Sequence, residues 1–270
     1  MGTWDGAQRQ VFDAMTKPFA GNVHTDHEIT GVARNGGGFT IEDKQGRTYE
    51  VDRVVFACDA TSALHSLESP TFLQKQLLGG VRYVDDEDPT FSKFVVHSDD
   101  TIFPEPYRER IANDFNTYSE LDDDGNFECT FVLSSHYPGL TDLGTPMLVT
   151  FNSKKSINKV QKEIDLPHPT HHLCMRNLLI MMSMRFLQGK DGIHYCGNFT
   201  TPEGGHDLSF LSGLVVAHEL GAAYPLPASN ANAVADFQLM QRIMLGRVPE
   251  LRARPVSEVR ESPETSRAHV

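Results

Sequence analysis

The segment Ile193-His194-Tyr195-Cys196-Gly197-Asn198-Phe199-Thr200-Thr201-Pro202-Glu203-Gly204-Gly205-His206-Asp207, continuing to Leu211-Ser212-Gly213-Leu214-Val215-Val216-Ala217, constrains the fold more than any other. Ile193 to Cys196 reads as a short buried strand that stops at Gly197, a glycine-rich loop follows, and a helix then begins with small residues on one side. Such an arrangement faces a ligand. Glycines let backbone approach a flat ring or a phosphate, and a helix N-terminus offers unpaired N–H groups and a partial positive charge. Ser212-Gly213, one turn inside the helix, permits close packing against that ligand or against a strand. On pattern alone a second reading stays open, that of a tight turn from strand to helix with a packing glycine.

Three further strands and a distinctive fourth precede it. Glu28 to Arg34, Phe39 to Asp43 and Thr48 to Val51 are separated by Asn35-Gly36-Gly37-Gly38 and Lys44-Gln45-Gly46, turns whose glycines supply positive φ. Val54 to Cys58 is continuously apolar and β-branched, as a strand covered on both faces would be, which predicts the interior of a larger sheet. A short amphipathic helix is predicted over residues 5–17, ending at Pro18, and a helical stretch from Leu64 to Leu78 broken near Ser69-Pro70. Phe94 to His97, Asp114 to Tyr118, Phe127 to Ser134 and Met147 to Phe151 read as strands of a second β region. The acidic run Asp122-Asp123-Asp124-Gly125-Asn126 lacks the glycine position of a calcium loop and reads as a turn. Helices are expected over residues 171–187, Leu208 to Ala222 and Ala231 to Leu245, with a disordered tail beyond Val248.

Charge excludes one class of partner. A formal net charge of -12, from 24 basic and 36 acidic residues, argues against binding nucleic acid, whose affinity comes mostly from Lys and Arg. Cys58, Cys129, Cys174 and Cys196 form no CxxC pair, which predicts free thiols in a reducing, cytoplasmic setting rather than zinc or a redox dithiol. Met1 to Asp5 has neither the basic start nor the apolar run of a signal peptide. Leu178 to Met184 and Leu211 to Ala217 fall short of the roughly 20 apolar residues a membrane span needs.

The order Cys-Gly at 196–197, Gly-His at 205–206 and Ser-Gly-Leu-x-Val-Ala at 212–217 resembles the C-terminal flavin-contacting motif of FAD-dependent amine-oxidase-like oxidoreductases. More narrowly, it resembles predicted NAD/FAD-binding proteins associated with cyclopropane-fatty-acid synthase-like methyltransferases. Asp52 to Cys58 is similar to the return strand of their FAD domain, Val96-His97-Ser98-Asp99 before Phe103-Pro104 to a His-x-Asp and Leu-Pro segment, Met147 to Asn152 to a Val-Thr-Leu-Asn strand, and His168-Pro169 to a His-Pro element. The resemblance runs over most of residues 10–222. It implies an α/β fold, the C-terminal part of a Rossmann-like FAD-binding domain with an inserted α+β substrate domain. The expected divisions are 1–63 (meander and return strand), 64–172 (substrate-type domain with an antiparallel sheet), 173–246 (C-terminal FAD-domain strand and helices) and 247–270 (disordered tail). The implied cofactor-binding residues are Cys196, Gly197, Asn198, Gly205, His206, Ser212 and Gly213.

Two departures qualify what the resemblance implies. The family's strand-G-x-G-x-x-G-helix unit, which holds the FAD diphosphate, does not occur in this sequence. After His206 the family's acid and glycine are replaced within Asp207-Leu208-Ser209-Phe210-Leu211, and Asn198 stands where amine oxidases tend to have an acid. Losing a diphosphate cradle removes several charge-assisted hydrogen bonds of roughly 1.5 to 3 kcal/mol each, so FAD binding by this chain alone is expected to be weak or absent. The implied activity is hydride transfer between flavin and an apolar, fatty-acyl-like substrate. The alternative is a gene fragment, a degenerate paralogue or a non-catalytic subunit whose partner chain supplies the dinucleotide-binding unit.

Other candidates carry less. His168-Pro169-Thr170-His171-His172 invites a metal, but Pro169 breaks the helical spacing and no carboxylate completes a set, so a helix start is favoured and no metal is expected. Met175, Met181, Met182 and Met184 are expected to fill core gaps, the other reading being an adaptable apolar pocket. No G-x-S-x-G elbow occurs, and neither Ser135-His136 nor Ser98-Asp99 composes a triad, which disfavours a hydrolase. Cys196 reads as a small buried residue before it reads as a reactive thiol. No catalytic residue is assigned.

Overall fold

The computed structural model describes residues 7–86, 89–110, 117–121, 127–137, 140, 144–153, 155–168, 170–202 and 205–252. In chain order its helices and strands are α1 (Ala7–Thr16), β1 (Ile29–Asn35), β2 (Gly38–Asp43), β3 (Thr48–Val51), β4 (Val54–Phe56), α2 (Ala60–Ser66), α3 (Phe72–Leu78), β5 (Lys93–His97), β6 (Thr117–Leu121), β7 (Phe127–Val132), α4 (Leu133–His136), β8 (Leu148–Phe151), β9 (Val160–Asp165), α5 (Met175–Ser183), β10 (Ile193–Tyr195), α6 (His206–Glu219) and α7 (Ala231–Leu245). The chain divides into two compact units, one drawn from Met1–Asp26 and Tyr83–Pro169, the other from His27–Arg82 and Thr170–Val270.

The second unit carries the segment singled out above. Its antiparallel meander β1-β2-β3 turns at Asn35-Gly36-Gly37, where both glycines have positive φ, and again at Gly46. Asp43, 1% exposed, closes that second turn by accepting from the Gln45 and Arg47 N–H groups and from Arg47 Nε at 2.6 Å. Burial alone would raise its carboxyl pKa, but these bonds hold it below the ordinary value.

β4 and β10 form a two-stranded parallel sheet with Val54 opposite Ile193, Val55 opposite His194 and Phe56 opposite Tyr195. Phe56 and Tyr195 stack at 5.7 Å between centroids, and the fully buried Tyr195 hydroxyl accepts from Gln74 Nε2 at 2.9 Å. Gln188 caps one edge of this sheet, its amide accepting from Tyr195 N–H at 3.0 Å and donating to Tyr195 O at 2.6 Å. Among the described residues β4 pairs only with β10. The expected burial of both its faces is corrected: Val54 and Phe56 are buried but Val55 is 41% exposed.

α2 begins under an Asp59 cap and α3 under a Thr71/Gln74 capping box. α6 and α7 bury Val215, Val216, Phe237, Met240 and Met244 in one cluster with Cys196 and Tyr224. Leu251 packs on that cluster, and Arg252 N–H donates to His218 Nε2 at 3.1 Å. Residues 253–270 of the expected tail lie outside the described residues. The methionine-rich helix is shorter than expected, Met175–Ser183 followed by a 3-10 turn at Met184–Phe186. Met181 and Met184 are buried, whereas Met175 and Met182 are exposed at 69% and 48%, so the expectation that all four fill the core is corrected for those two.

The other unit contains a five-stranded antiparallel sheet in the order β6-β7-β8-β5-β9. A buried polar chain crosses three of its strands, with His97 Nε2 2.8 Å from Thr150 Oγ1 and Thr150 Oγ1 2.7 Å from Thr130 Oγ1. Because His97 Nδ1 accepts from Asp99 N–H at 3.2 Å, its proton sits on Nε2 and is donated to Thr150, whose hydroxyl shares a further hydrogen bond with that of Thr130. Burial pushes the Asp99 carboxyl up, but bonds from Thr101 and Asn158 outweigh it and bring the pKa down to about 2. β9 has no counterpart in the sequence reading because all six of its residues are exposed and show no apolar alternation. The Asp114 start of the predicted strand and the acidic turn at 122–126 lie outside the described residues.

Candidate functional site

The backbone leaves β10 through a sharply specified turn. Cys196 N–H donates to Phe56 O at 2.9 Å, extending the parallel pairing by one residue. Gly197 then takes φ +101°, a conformation that L side chains rarely adopt, and its N–H donates to Ser212 Oγ at 2.8 Å. Ser212, fully buried on α6, passes its own proton to Ser209 O at 2.6 Å. One hydroxyl thus fastens the strand end to the helix that follows it.

A 3-10 turn at Asn198–Thr200 completes the loop. Thr200 Oγ1 donates to Gly197 O and Thr201 Oγ1 to Asn198 O, each at 2.7 Å. Asn198 Oδ1 is buried and makes no hydrogen bond among the described residues, and the same holds for Nδ1 of His171, a residue 8% exposed. Burial lowers the His171 pKa, and the Pro202 carbonyl and the Asn198 side chain oppose the shift without cancelling it. A cavity of about 260 Å³ opens against this corner, lined among others by His171, Cys174, Met175, Leu178, Met181 and Thr201.

α6 begins at His206 with Gly205 as N-cap and no described side chain capping it. His206 is exposed, and Asp207 places its carboxylate against Gly205. Gly213 faces open space: a Cβ built there meets nothing within 4 Å. The sequence reading had Ser212-Gly213 serving close packing; the structure gives the two residues different tasks, Ser212 holding Gly197 and Gly213 leaving room. Cys196 turns its thiol into the α6/α7 core, where burial and the nearby Cys58 push the pKa up to about 11, keeping it protonated and a poor nucleophile.

The structure therefore joins Gly197, Asn198 and Ser212 in one bonded corner, with Gly205 and His206 at the mouth of the same helix. Sequence reasoning passed over His171 as part of it, having weighed that residue only as a metal ligand or a helix start. Among the described residues no group of three or more His, Cys, Asp or Glu side chains could hold a metal ion. The residues present fit a flavin: a side-chain-free turn, a helix start that no described side chain caps, and an open glycine face.

Parallel strands ending at a glycine turn before a helix N-terminus define a Rossmann-like ligand-binding class. The flavin containing amine oxidoreductase family matches residues 3–173, and the chain belongs to that family. No curated protein matches the sequence. Among solved structures, a CLA-producing fatty acid isomerase from P. acnes superposes with a TM-score of 0.55 at 11% identity, covering 82% of this chain and 53% of that one. Reduced UDP-galactopyranose mutase gives a TM-score of 0.56 at 12% identity, covering 86% and 54%. The chain thus spans about half the length of these two proteins, and what it shares with them is the fold. No described helix is long and apolar enough to cross a membrane.

Proposed function

We propose that this chain forms the ring-facing part of an FAD-dependent oxidoreductase that transfers hydride between flavin and an apolar, fatty-acyl-like substrate. The observation that carries the proposal is the corner in which Gly197, at φ +101°, is locked by Ser212 Oγ and so ties the end of β10 to the start of α6. Asn198, whose Oδ1 is buried beside the His171 ring, stands at that corner, where a ring or ribityl donor would use the oxygen's second lone pair. Bound flavin supplies the hydride acceptor or donor, so the protein needs to orient and shield rather than provide an acid or base. In that role Gly197 and Gly213 leave room for the ring, the first-turn N–H groups of Gly205, His206 and Asp207 donate to its oxygens, and Ser212 fixes the turn. Cys196 contributes backbone and packing, its protonated thiol pointing into the core. Met175, Leu178 and Met181 give the neighbouring cavity an apolar wall that suits an aliphatic substrate and excludes water.

Titrating the full chain with riboflavin and with FAD, read by quenching of flavin fluorescence, tests this. Saturable binding that Asn198→Ala weakens about fivefold or more, with unchanged far-UV circular dichroism, is the expected result. No binding of either flavin, or binding indifferent to residue 198, would sink it.

One observation favours a second reading, a subunit completed by a partner chain. Gln188 caps the β10 edge of the parallel pair, while β4 has no second neighbour among the described residues. A cavity of about 520 Å³ runs along Val54 to Cys58. A strand belonging to a partner's dinucleotide-binding unit fits that edge. Flavin binding that appears only after such a partner is added supports this reading over the first.

A further inference from the structure

We infer that the cleft between α6 and α7, which adjoins the Gly197 corner through Pro202 and Asp207, is a further binding site for an uncharged aliphatic molecule bearing one oxygen acceptor, such as a long-chain alcohol or ester. The cleft encloses about 390 Å³, within the range of small-molecule sites. Leu208, Leu211 and Leu214 recur along one face of α6, and Ala233, Met240 and Ile243 along the facing side of α7. The helices share a core beneath this cleft yet leave its walls only partly buried, a shape that an extended hydrocarbon chain fills by excluding water from both faces.

Polar groups around the cleft select the ligand. Tyr224, part of the lining, is 1% exposed, and its hydroxyl is buried with no partner among the described residues. An oxygen acceptor on the ligand would satisfy it. The lining's carboxylates are Asp207 and Asp236, and no Lys, Arg or His stands among its residues. A fatty carboxylate would bring a third negative charge into an apolar site with no cation to meet it, an unfavourable arrangement. An alcohol or ester keeps the chain and the acceptor without that charge. The inference does not rest on the flavin reading, since its test contains no flavin.

Isothermal titration of the full chain with decanol, decanoate and decyltrimethylammonium, each below its micelle concentration at neutral pH, tests it. Decanol is expected to bind, decanoate about tenfold or more weakly, and the cation no more tightly than decanol. Asp236→Asn, a change at an exposed position, should raise decanoate affinity and leave decanol unaffected. Tyr224→Phe should weaken decanol about fivefold, and Ala233→Phe should abolish its binding with the melting temperature preserved. Decanoate or the cation binding more tightly than decanol, or decanol affinity that neither Tyr224→Phe nor Ala233→Phe alters, would overturn the assignment.

Discussion

Ser212→Ala isolates the bond that fastens β10 to α6. The hydroxyl is fully buried and accepts from Gly197 N–H at 2.8 Å across 15 residues of sequence, so alanine leaves a main-chain donor without its partner. An unsatisfied buried donor costs about 1–3 kcal/mol; with both partners uncharged, about 2 kcal/mol is reasonable. Losing the second bond, to Ser209 O, adds little, because a serine bonding back within its own helix is close to neutral. The damage is local and should be read locally. Amide hydrogen exchange at Gly197, resolved by NMR, should quicken by about thirtyfold, the equivalent of about 2 kcal/mol. The Cys196 amide, bonded to Phe56 O at 2.9 Å, should change far less, and Ser209→Ala, which keeps the acceptor carbonyl, should change neither. Gly197 exchange within about threefold of the parent, or equal acceleration at Cys196 and Gly197, would refute the claim that this hydroxyl specifically holds the turn.

Acid should unfold the protein earlier than its carboxylates alone would dictate. Burial lowers the pKa of His97, His171, His194 and His218 below the ordinary value, so the unfolded chain binds protons that the folded chain refuses. Stability is therefore full above about pH 6.5 and declines as pH falls below it, and urea midpoints measured down to about pH 5.5 should drop; a flat profile would contradict the burial of these rings. In the five-stranded unit, Thr150→Val should cost about 2 kcal/mol or more, because it strands both His97 Nε2–H and Thr130 Oγ1; denaturant unfolding followed through exchange in β5 and β8 checks this.

What the sequence disclosed depended on local signals. The glycine turns of β1 to β3 were legible because positive φ demands glycine at those places. Val54–Phe56 and Ile193–Tyr195 were each legible as buried strands from apolar content, but their pairing joins residues far apart in sequence, which no periodicity encodes. β9 left no signal because an exposed edge strand needs no apolar alternation. At the candidate site the glycines stood out, while the partnership of Ser212 with Gly197 did not: it depends on the helical phase of α6, set by packing against α7. His171 was likewise hidden, since only the fold brings it beside Asn198.

The electrostatics of α6 bear on how strongly such a site can hold flavin. A helix N-terminus carries a partial charge of about +0.5, but here Asp207 places a carboxylate in the first turn, against Gly205, and largely offsets it. That end of the helix is suited to neutral oxygens of a ring rather than to a diphosphate. Neutral hydrogen bonds contribute about 0.5–1.5 kcal/mol each, so the donors of this corner together supply only a few kcal/mol against the entropy of immobilising a large cofactor. On the proposed reading the affinity of this chain for flavin is modest and comes mainly from the ring, which makes riboflavin nearly as good a ligand as FAD. A large preference for FAD would instead require a cationic or uncompensated diphosphate site elsewhere in the molecule.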